Sequence, residues 1–206
     1  MKKLTKKSLN ELAKVMPKIA EKQQRELIGC AKYYNHNGEY LGMIGTGDEM
    51  RVISNSDFDV YAAGIYEEGT LFGIGLLDAS DTEKMAVLTN FLPFGITGVE
   101  FLDEPVKGQQ AGLDSNGNFY INKNGFILEN ASSIVNTIVH EEYHFDNEHY
   151  TGSISDGQEL DTLMYQINDS SYENTNQEYR LFVANQLYNS SNISYAEALQ
   201  LARVYD

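Results

Sequence analysis

Five consecutive residues, His140-Glu141-Glu142-Tyr143-His144, combine two potential metal ligands with an acid beside the first of them. The apolar run before them, residues 133–139, predicts a helix. Residues four apart lie on one face of a helix, so both imidazoles would reach a single Zn²⁺. The carboxylate of Glu141 would then take a proton from a water bound to the metal. The spacing therefore predicts a zinc site with Glu141 as general base.

The residues around this motif favour an amphipathic helix, whose start Ser132 or Ser133 can cap. An apolar stripe runs along it, made of Ile134, Val135, Ile138, Val139 and Tyr143. A polar arc lies elsewhere on it, made of Thr137, His140, Glu141, His144 and Glu148. We expect the stripe to be buried and the polar arc to carry the chemistry. The alternative is a surface helix that carries two histidines by coincidence.

The HExxH motif and its placement resemble the zincin metallopeptidases. The resemblance covers roughly residues 118–166 and is specific only in the five-residue core. It implies a zincin-like fold, a Zn²⁺ cofactor and hydrolysis of peptide bonds through a metal-activated water, with Glu141 as general base. The substrate would be a peptide or protein. The same resemblance implies that Asn118–Ile121 is an edge strand that can pair with an extended substrate.

The third zinc ligand separates the branches of this family. The metzincins place a third histidine six residues after the second, but that position is Tyr150, and His149 lies one residue too early. The gluzincins use a Glu on the following helix. Resemblance to them implies Glu159, in the first turn of a helix that starts near residue 158. Two other acidic residues compete for this role: Asp161 and Glu178.

Two further roles are less determined by the sequence. Gluzincins often carry an acid four residues after the ligand Glu to orient a histidine, and here that residue is Leu163, so the role falls elsewhere or is absent. Many zincins steady the oxyanion with a Tyr or His, for which Tyr165 and Tyr150 are candidates. The alternative function is therefore a secreted toxin-like or binding protein on a degenerate, non-catalytic zincin scaffold.

The first 30 residues differ sharply in charge from the rest. They hold eight Lys or Arg and three acids, a balance of +5, whereas residues 31–206 hold seven and 27, a balance of −20. Such asymmetry marks two segments with different roles. We therefore divide the chain into a basic amphipathic leader-like segment, residues 1–30, and one domain, residues 31–206.

The leader-like segment resembles the double-glycine leader peptides of bacteriocin-like exported products, with Gly29-Cys30 at its end. This resemblance implies cleavage after Cys30 by the peptidase domain of a dedicated ABC-type exporter, and a bacterial protein that is secreted or in the cell envelope. A lipobox at residues 27–30 is the second interpretation, but it lacks the preceding apolar region. The third is an amphipathic helix that packs on the domain, in which case the protein is cytoplasmic.

Residues 31–206 predict an α+β domain, with a mostly β region followed by a helical region that carries the HExxH helix. The expected strands lie around 40–44, 50–53, 59–65, 70–77, 98–102 and 118–121. The expected helices lie around 80–92, 132–147, 157–168, 176–189 and 194–204. All core-forming elements are thus expected beyond residue 38. The net charge of −15 argues against nucleic acid as a partner, and no apolar run predicts a membrane span.

Overall fold

The computed structural model describes residues 31–44, 47–64, 73–93, 96, 98–102, 109–114, 116–149 and 154–205. The leader-like segment with Gly29 and Cys30 lies outside the described residues, as does Tyr150. Two small sheets come first along the chain and four helices follow. The prediction of an α+β architecture is confirmed.

The first sheet is built around a strand that the sequence did not predict. Its order is β2 (Tyr40–Ile44), β1 (Ala31–Tyr34), β3 (Glu49–Val52) and β4 (Ile74–Gly75), and β1 is antiparallel to β2 but parallel to β3. The expectation that the core begins beyond residue 38 is wrong, because Ala31 is fully buried in this central strand. Ala31 is also the residue that would follow a cut after Cys30. The sequence did not predict this strand, because only four residues form it and one of them is a lysine.

The predicted strand at 59–65 is wrong over its described part. Residues Asn55–Ala62 form helix α1, which Ser54 caps by accepting a hydrogen bond from the Asp57 backbone N–H. Phe58 and Tyr61 are three residues apart, so a helix turns both towards the sheet, where each ring lies 5.5 Å from that of Tyr33. The predicted strand at 70–77 shrinks to β4 and a short 3-10 turn, with residues 70–72 outside the described set.

The second sheet supplies one wall of the cleft described below. Its order is β5 (Gly98–Phe101), β7 (Asn118–Ile121) and β6 (Ala111–Leu113). Strand β7 pairs with a neighbour on each side, so the prediction that it is an edge strand is wrong. The edge beside the cleft is β6, which the sequence did not predict because its Ala-Gly-Leu is too short and too poor in β-branched residues to read as a strand.

Helix α2 (Asp81–Leu88) lies between the sheets in the chain, and a capping box between Ser80 and Glu83 starts it. The helical region holds α3 (Ala131–Asp146), α4 (Asp156–Asn168), α5 (Gln177–Ser190) and α6 (Tyr195–Leu201). These four helices pack with the second sheet, α2 and parts of β1 and β3 around the larger of two cores. Within the described part of the chain, no helix is long and apolar enough to cross a membrane.

The HExxH helix α3 is joined to the first sheet at its N-terminus. Asn130, not Ser132 or Ser133, caps it, and the Asn130 side chain accepts a hydrogen bond of 2.8 Å from the Ser133 backbone N–H. Ser132 instead donates its backbone N–H and its hydroxyl to the Asp48 carboxylate, which also pairs with Lys32. Burial opposes ionisation of Asp48, but these contacts with Lys32 and Ser132 outweigh it and hold its pKa below the usual range. A carboxylate from a distant loop thus binds one of the N–H groups that a helix start leaves unpaired.

We expect Asp48→Ala to lower the free energy of unfolding by about 1–3 kcal/mol, because it leaves the Ser132 N–H and the Lys32 ammonium without their partner. The pKa of Asp48 is lowered in the folded protein, so its contribution is present above the unfolded-state pKa of about 4 and is lost as the pH falls below it. Urea unfolding at pH 7 and at pH 3 measures both effects. An equal loss at the two pH values would contradict this role.

Candidate metal centre

Three side chains from α3 and α4 converge on one point. The Nε2 atom of His144 lies 3.1 Å from Nε2 of His140 and 3.2 Å from Oε2 of Glu159, and His140 Nε2 lies 3.7 Å from Oε1 of Glu159. His144 is buried, whereas His140 and Glu159 are partly exposed. Glu159 lies in the first turn of α4, as predicted. The capping box of Ser155 and Gln158 starts that helix at Asp156, three residues before Glu159.

A buried relay of hydrogen bonds fixes the ring of His140. Asn136 directs its amide oxygen to the Tyr179 hydroxyl (3.2 Å), which in turn accepts a hydrogen bond of 2.8 Å from Nε2 of Gln166. The Gln166 amide oxygen therefore faces His140 and lies 2.7 Å from its Nδ1. This oxygen can only accept, so His140 Nδ1 carries the proton. The lone pair of His140 Nε2 is then left facing the centre.

His144 is oriented in a similar way from α4. The Thr162 hydroxyl donates to the Gln158 carbonyl at 2.8 Å, so its lone pairs are available to His144 Nδ1 at 3.3 Å. Nδ1 of His149 also lies 3.1 Å from that atom. With a proton on Nδ1, His144 also turns the lone pair of its Nε2 to the centre. The sequence has no acid at position 163 to orient a histidine. In the structure, Gln166 orients His140 and Thr162 orients His144.

The donor set fits a zinc ion. A tetrahedral zinc with bonds of about 2.0–2.1 Å separates neighbouring ligand atoms by roughly 3.3 Å, close to the spacing of these three groups. Two lone pairs and a carboxylate that face one another repel unless a cation lies between them. Imidazole nitrogen and carboxylate oxygen are ligands that zinc commonly takes in proteins. His140, His144 and Glu159 would therefore hold Zn²⁺, with room for a fourth ligand.

The carboxylate of Glu141 lies beside this centre and faces the second sheet. Burial raises the pKa of Glu141, which the two histidines and a hydrogen bond from the backbone N–H of Leu113 only partly counteract. For Glu159 the balance is reversed: burial opposes ionisation, but its contacts with His144 and His140 hold its pKa below the usual range. The two acids of the site thus differ in environment: Glu141 contacts strand β6, and Glu159 contacts the two histidines.

A cleft of about 340 Å³ lies over these groups. Helices α3 and α4 form its floor, residues 109–113 form one wall, and Phe182 and Gln186 of α5 form the other. The walls are neutral, since they present the side chains of Gln109, Gln110, Leu113, Phe182 and Gln186. Glu141 and Glu159 are the only acidic residues that line it within the described chain, and none of the described lining residues is Lys or Arg.

The other candidate residues of the sequence analysis that the structure describes do not join the group of His140, His144 and Glu159. Asp161 is exposed on α4, and Glu178 is exposed at the start of α5. Tyr165 is half exposed, with its ring 4.6 Å from that of Tyr143, and it does not line the cleft. Tyr150, the other tyrosine proposed to steady an oxyanion, lies outside the described residues.

Helix α3 is buried on more sides than its apolar stripe predicts. Ile134 and Ile138 are buried as expected, but Val135 is 36 % exposed. Asn136 and Thr137 are buried instead, because each has hydrogen-bond partners inside the protein. The predicted burial of the apolar stripe is therefore confirmed at Ile134 and Ile138 and wrong at Val135. One available signal was the spacing of Thr162 and Gln166, which follow Glu159 by three and seven residues and so share its face.

We expect Glu159→Ala to weaken zinc binding by more than about a hundredfold, because it removes a direct ligand rather than an outer partner. Asp161→Ala and Glu178→Ala are the matched controls, since each removes an exposed carboxylate from α4 or α5. Competition with a chromogenic chelator measures the affinity. Loss of zinc in the Glu178→Ala protein, with retention in Glu159→Ala, would contradict this ligand set.

We expect Gln166→Leu to weaken zinc binding about 10–100-fold, because His140 loses the acceptor that fixes its ring. Gln166→Glu keeps an acceptor oxygen and should retain tighter binding than Gln166→Leu. Chelator competition gives the affinity, and thermal unfolding of the metal-free proteins separates this effect from a general loss of stability. Equal zinc affinity in the Leu variant and the parent protein would show that the relay does not orient His140.

Comparison with protein-family models, with curated proteins and with solved structures found no match for this chain. No relative therefore supplies a function, a substrate or a cofactor. The function has to be argued from the chemistry of the cleft itself.

Proposed function

We propose that this protein is a small zinc-dependent metallopeptidase of the zincin type, with a gluzincin-like ligand set. The observation that carries the proposal is the convergence of His140, His144 and Glu159 within 3.1–3.7 Å, with Glu141 beside them in one cleft. A histidine pair alone would be weak support. The support comes from a third ligand on a different helix and from ring orientations that leave both Nε2 lone pairs facing that ligand.

The residues of the centre divide the work between binding and proton transfer. Bound zinc would supply Lewis acidity, which lowers the pKa of water and polarises a carbonyl. His140, His144 and Glu159 would hold the ion. The carboxylate of Glu141 accepts the proton of the attacking water and passes it to the leaving amine, so the peptide bond is cleaved and the base is regenerated.

The position of Glu141 suits this role. Its carboxylate lies in the cleft and not in bulk water, and the Leu113 N–H holds it on the β6 side. The base therefore lies between the two histidines on α3 and the strand along which a substrate would bind. A substrate carbonyl near the centre would meet Glu141 without any rearrangement of the backbone.

Strand β6 offers an edge for an extended peptide. Gln110 accepts a hydrogen bond from the Asn122 N–H and Asp114 donates one to Asn118, so these alternate residues face β7. The backbone groups of Ala111 and Leu113 then point to the other side, towards the cleft. A peptide that adds to this edge would run past the centre.

The proposal also includes export by removal of residues 1–30.

Glu141→Gln should abolish peptide hydrolysis but keep zinc bound, because it removes the base and no ligand. His144→Ala should lose the metal itself. Zinc content by atomic absorption and cleavage of a quenched fluorescent peptide library measure the two effects. Full activity of the Glu141→Gln protein would contradict the mechanism, and a parent protein that binds zinc but cleaves no peptide would favour the non-catalytic binding alternative.

A further inference from the structure

One carboxamide oxygen in the wall of the cleft has no hydrogen-bond partner. Oε1 of Gln110 is buried, and within the described part of the chain it is the one buried side-chain nitrogen or oxygen without such a partner. The buried amides of Asn136 and Gln166 each make two or more hydrogen bonds. Buried polar groups are almost always paired, because an unpaired one costs stability. Since Gln110 lines the cleft, a molecule bound there can supply the missing donor.

The Gln110 oxygen lies in a recess over Gly125. A Cβ atom on Gly125 would stand 2.5 Å from this oxygen and 3.0 Å from the Asn122 carbonyl oxygen. Only glycine leaves that space open, and the recess brings the Gln110 oxygen near an acceptor, not a donor. The last torsion of a glutamine side chain is soft, so the amide can turn. A turned amide directs its N–H groups towards the Asn122 carbonyl and its oxygen away from the recess.

Glutamines lie on both walls of the cleft. Gln109 and Gln110 belong to the wall that ends in β6, and Gln186 of α5 belongs to the opposite wall. A carboxamide has an acceptor and two donors in one plane, so two carboxamides can each donate to and accept from the other. The walls of the cleft thus match the chemistry of a neutral amide.

The source of the missing donor follows from the edge of β6. The backbone N–H groups of a peptide added to that edge would bond to the carbonyls of Ala111 and Leu113. Gln110 lies before this strand, so the donor left for it is a substrate side chain. The described residues on the two walls carry no charge, and an ammonium group there would lose water without gaining a carboxylate from them. A neutral amide donor fits better than a lysine.

We propose that the substrates are peptides with Gln or Asn beside the scissile bond, and that Gln110 is the residue that selects them. This inference rests on the proposed peptidase function and names its substrate class. The substrate amide donates to the Gln110 oxygen and so pairs a group that the free protein leaves unpaired. A site built in this way rejects an analogue without the donor more strongly than an apolar pocket rejects a change of size.

The test uses three pools of octapeptides with the same neutral flanking residues and with Gln, Met or Lys at the two central positions. Methionine has nearly the length of glutamine but no N–H donor. Fluorescence anisotropy with full-length zinc-loaded Glu141→Gln protein reports affinity without turnover. We expect the Gln pool to bind at least about tenfold more tightly than the Met pool and the Lys pool.

The variant Gln110→Met localises the effect. It should reduce the preference for the Gln pool over the Met pool to less than about twofold. The melting temperature of the free protein should stay the same or rise, because the variant removes an unpaired buried oxygen and keeps the side-chain volume. Gln200→Met on α6 is the matched control, since Gln200 is exposed and does not line the cleft. It should keep the preference of the parent.

The outcomes separate this inference from the proposed function. Tighter binding of the Gln pool supports the amide class even if the parent protein cleaves no pool, a result that would reject the peptidase function. Equal binding and equal cleavage of the Gln and Met pools would overturn the amide class and leave the peptidase function standing, and so would tightest binding of the Lys pool. A preference that survives in Gln110→Met, or a clear loss of its thermal stability, would overturn the role of Gln110.

Discussion

Two imidazole nitrogens and a carboxylate oxygen face one another across 3.1–3.7 Å. Their electron pairs repel one another, and the surrounding structure has to hold the three groups in place against this repulsion. Free histidines would relieve it by rotating or by moving a proton to Nε2. Here Gln166 and Thr162 oppose both changes, because each offers an acceptor to an Nδ1 proton. In the proposed function, a bound cation would recover the cost of this preorganised arrangement, so the residues around the site would hold the ligands in place before the metal arrives.

The position of α3 follows from the same requirement. Asp48 holds its first turn against the first sheet, and Asn136 and Thr137 connect its middle to α4, the following 3-10 turn and α5. The second sheet meets its cleft side at Leu113. A helix fixed at its start, middle and catalytic end cannot slide by a turn without breaking buried hydrogen bonds, each of which costs about 1–3 kcal/mol to leave unpaired. The polar residues in its interior therefore determine register, which apolar packing alone specifies less strictly.

Local patterns made parts of this structure predictable. The HExxH motif and the apolar run before it predicted the site helix to within one residue at either end. Pairing between distant segments was not predictable, because no local pattern shows that β1 is central or that β6 and not β7 forms the edge. The glutamine at 166 was missed for a related reason. An acid was expected at one position from family resemblance, whereas any acceptor on that helix face can orient a histidine.

Neutral partners for both histidines also have an electrostatic consequence. A carboxylate behind an imidazole increases the negative charge that reaches the metal, whereas Gln166 and Thr162 add none. In the proposed function, Glu141 and Glu159 would balance the charge of the ion, because they are the acids among the described residues that line the cleft. The negative charge of the helical region lies instead on exposed residues such as Asp146 and Asp156, at a distance from the reacting atoms. In the proposed function, this separation would let the metal keep its Lewis acidity, which further carboxylates placed next to it would reduce.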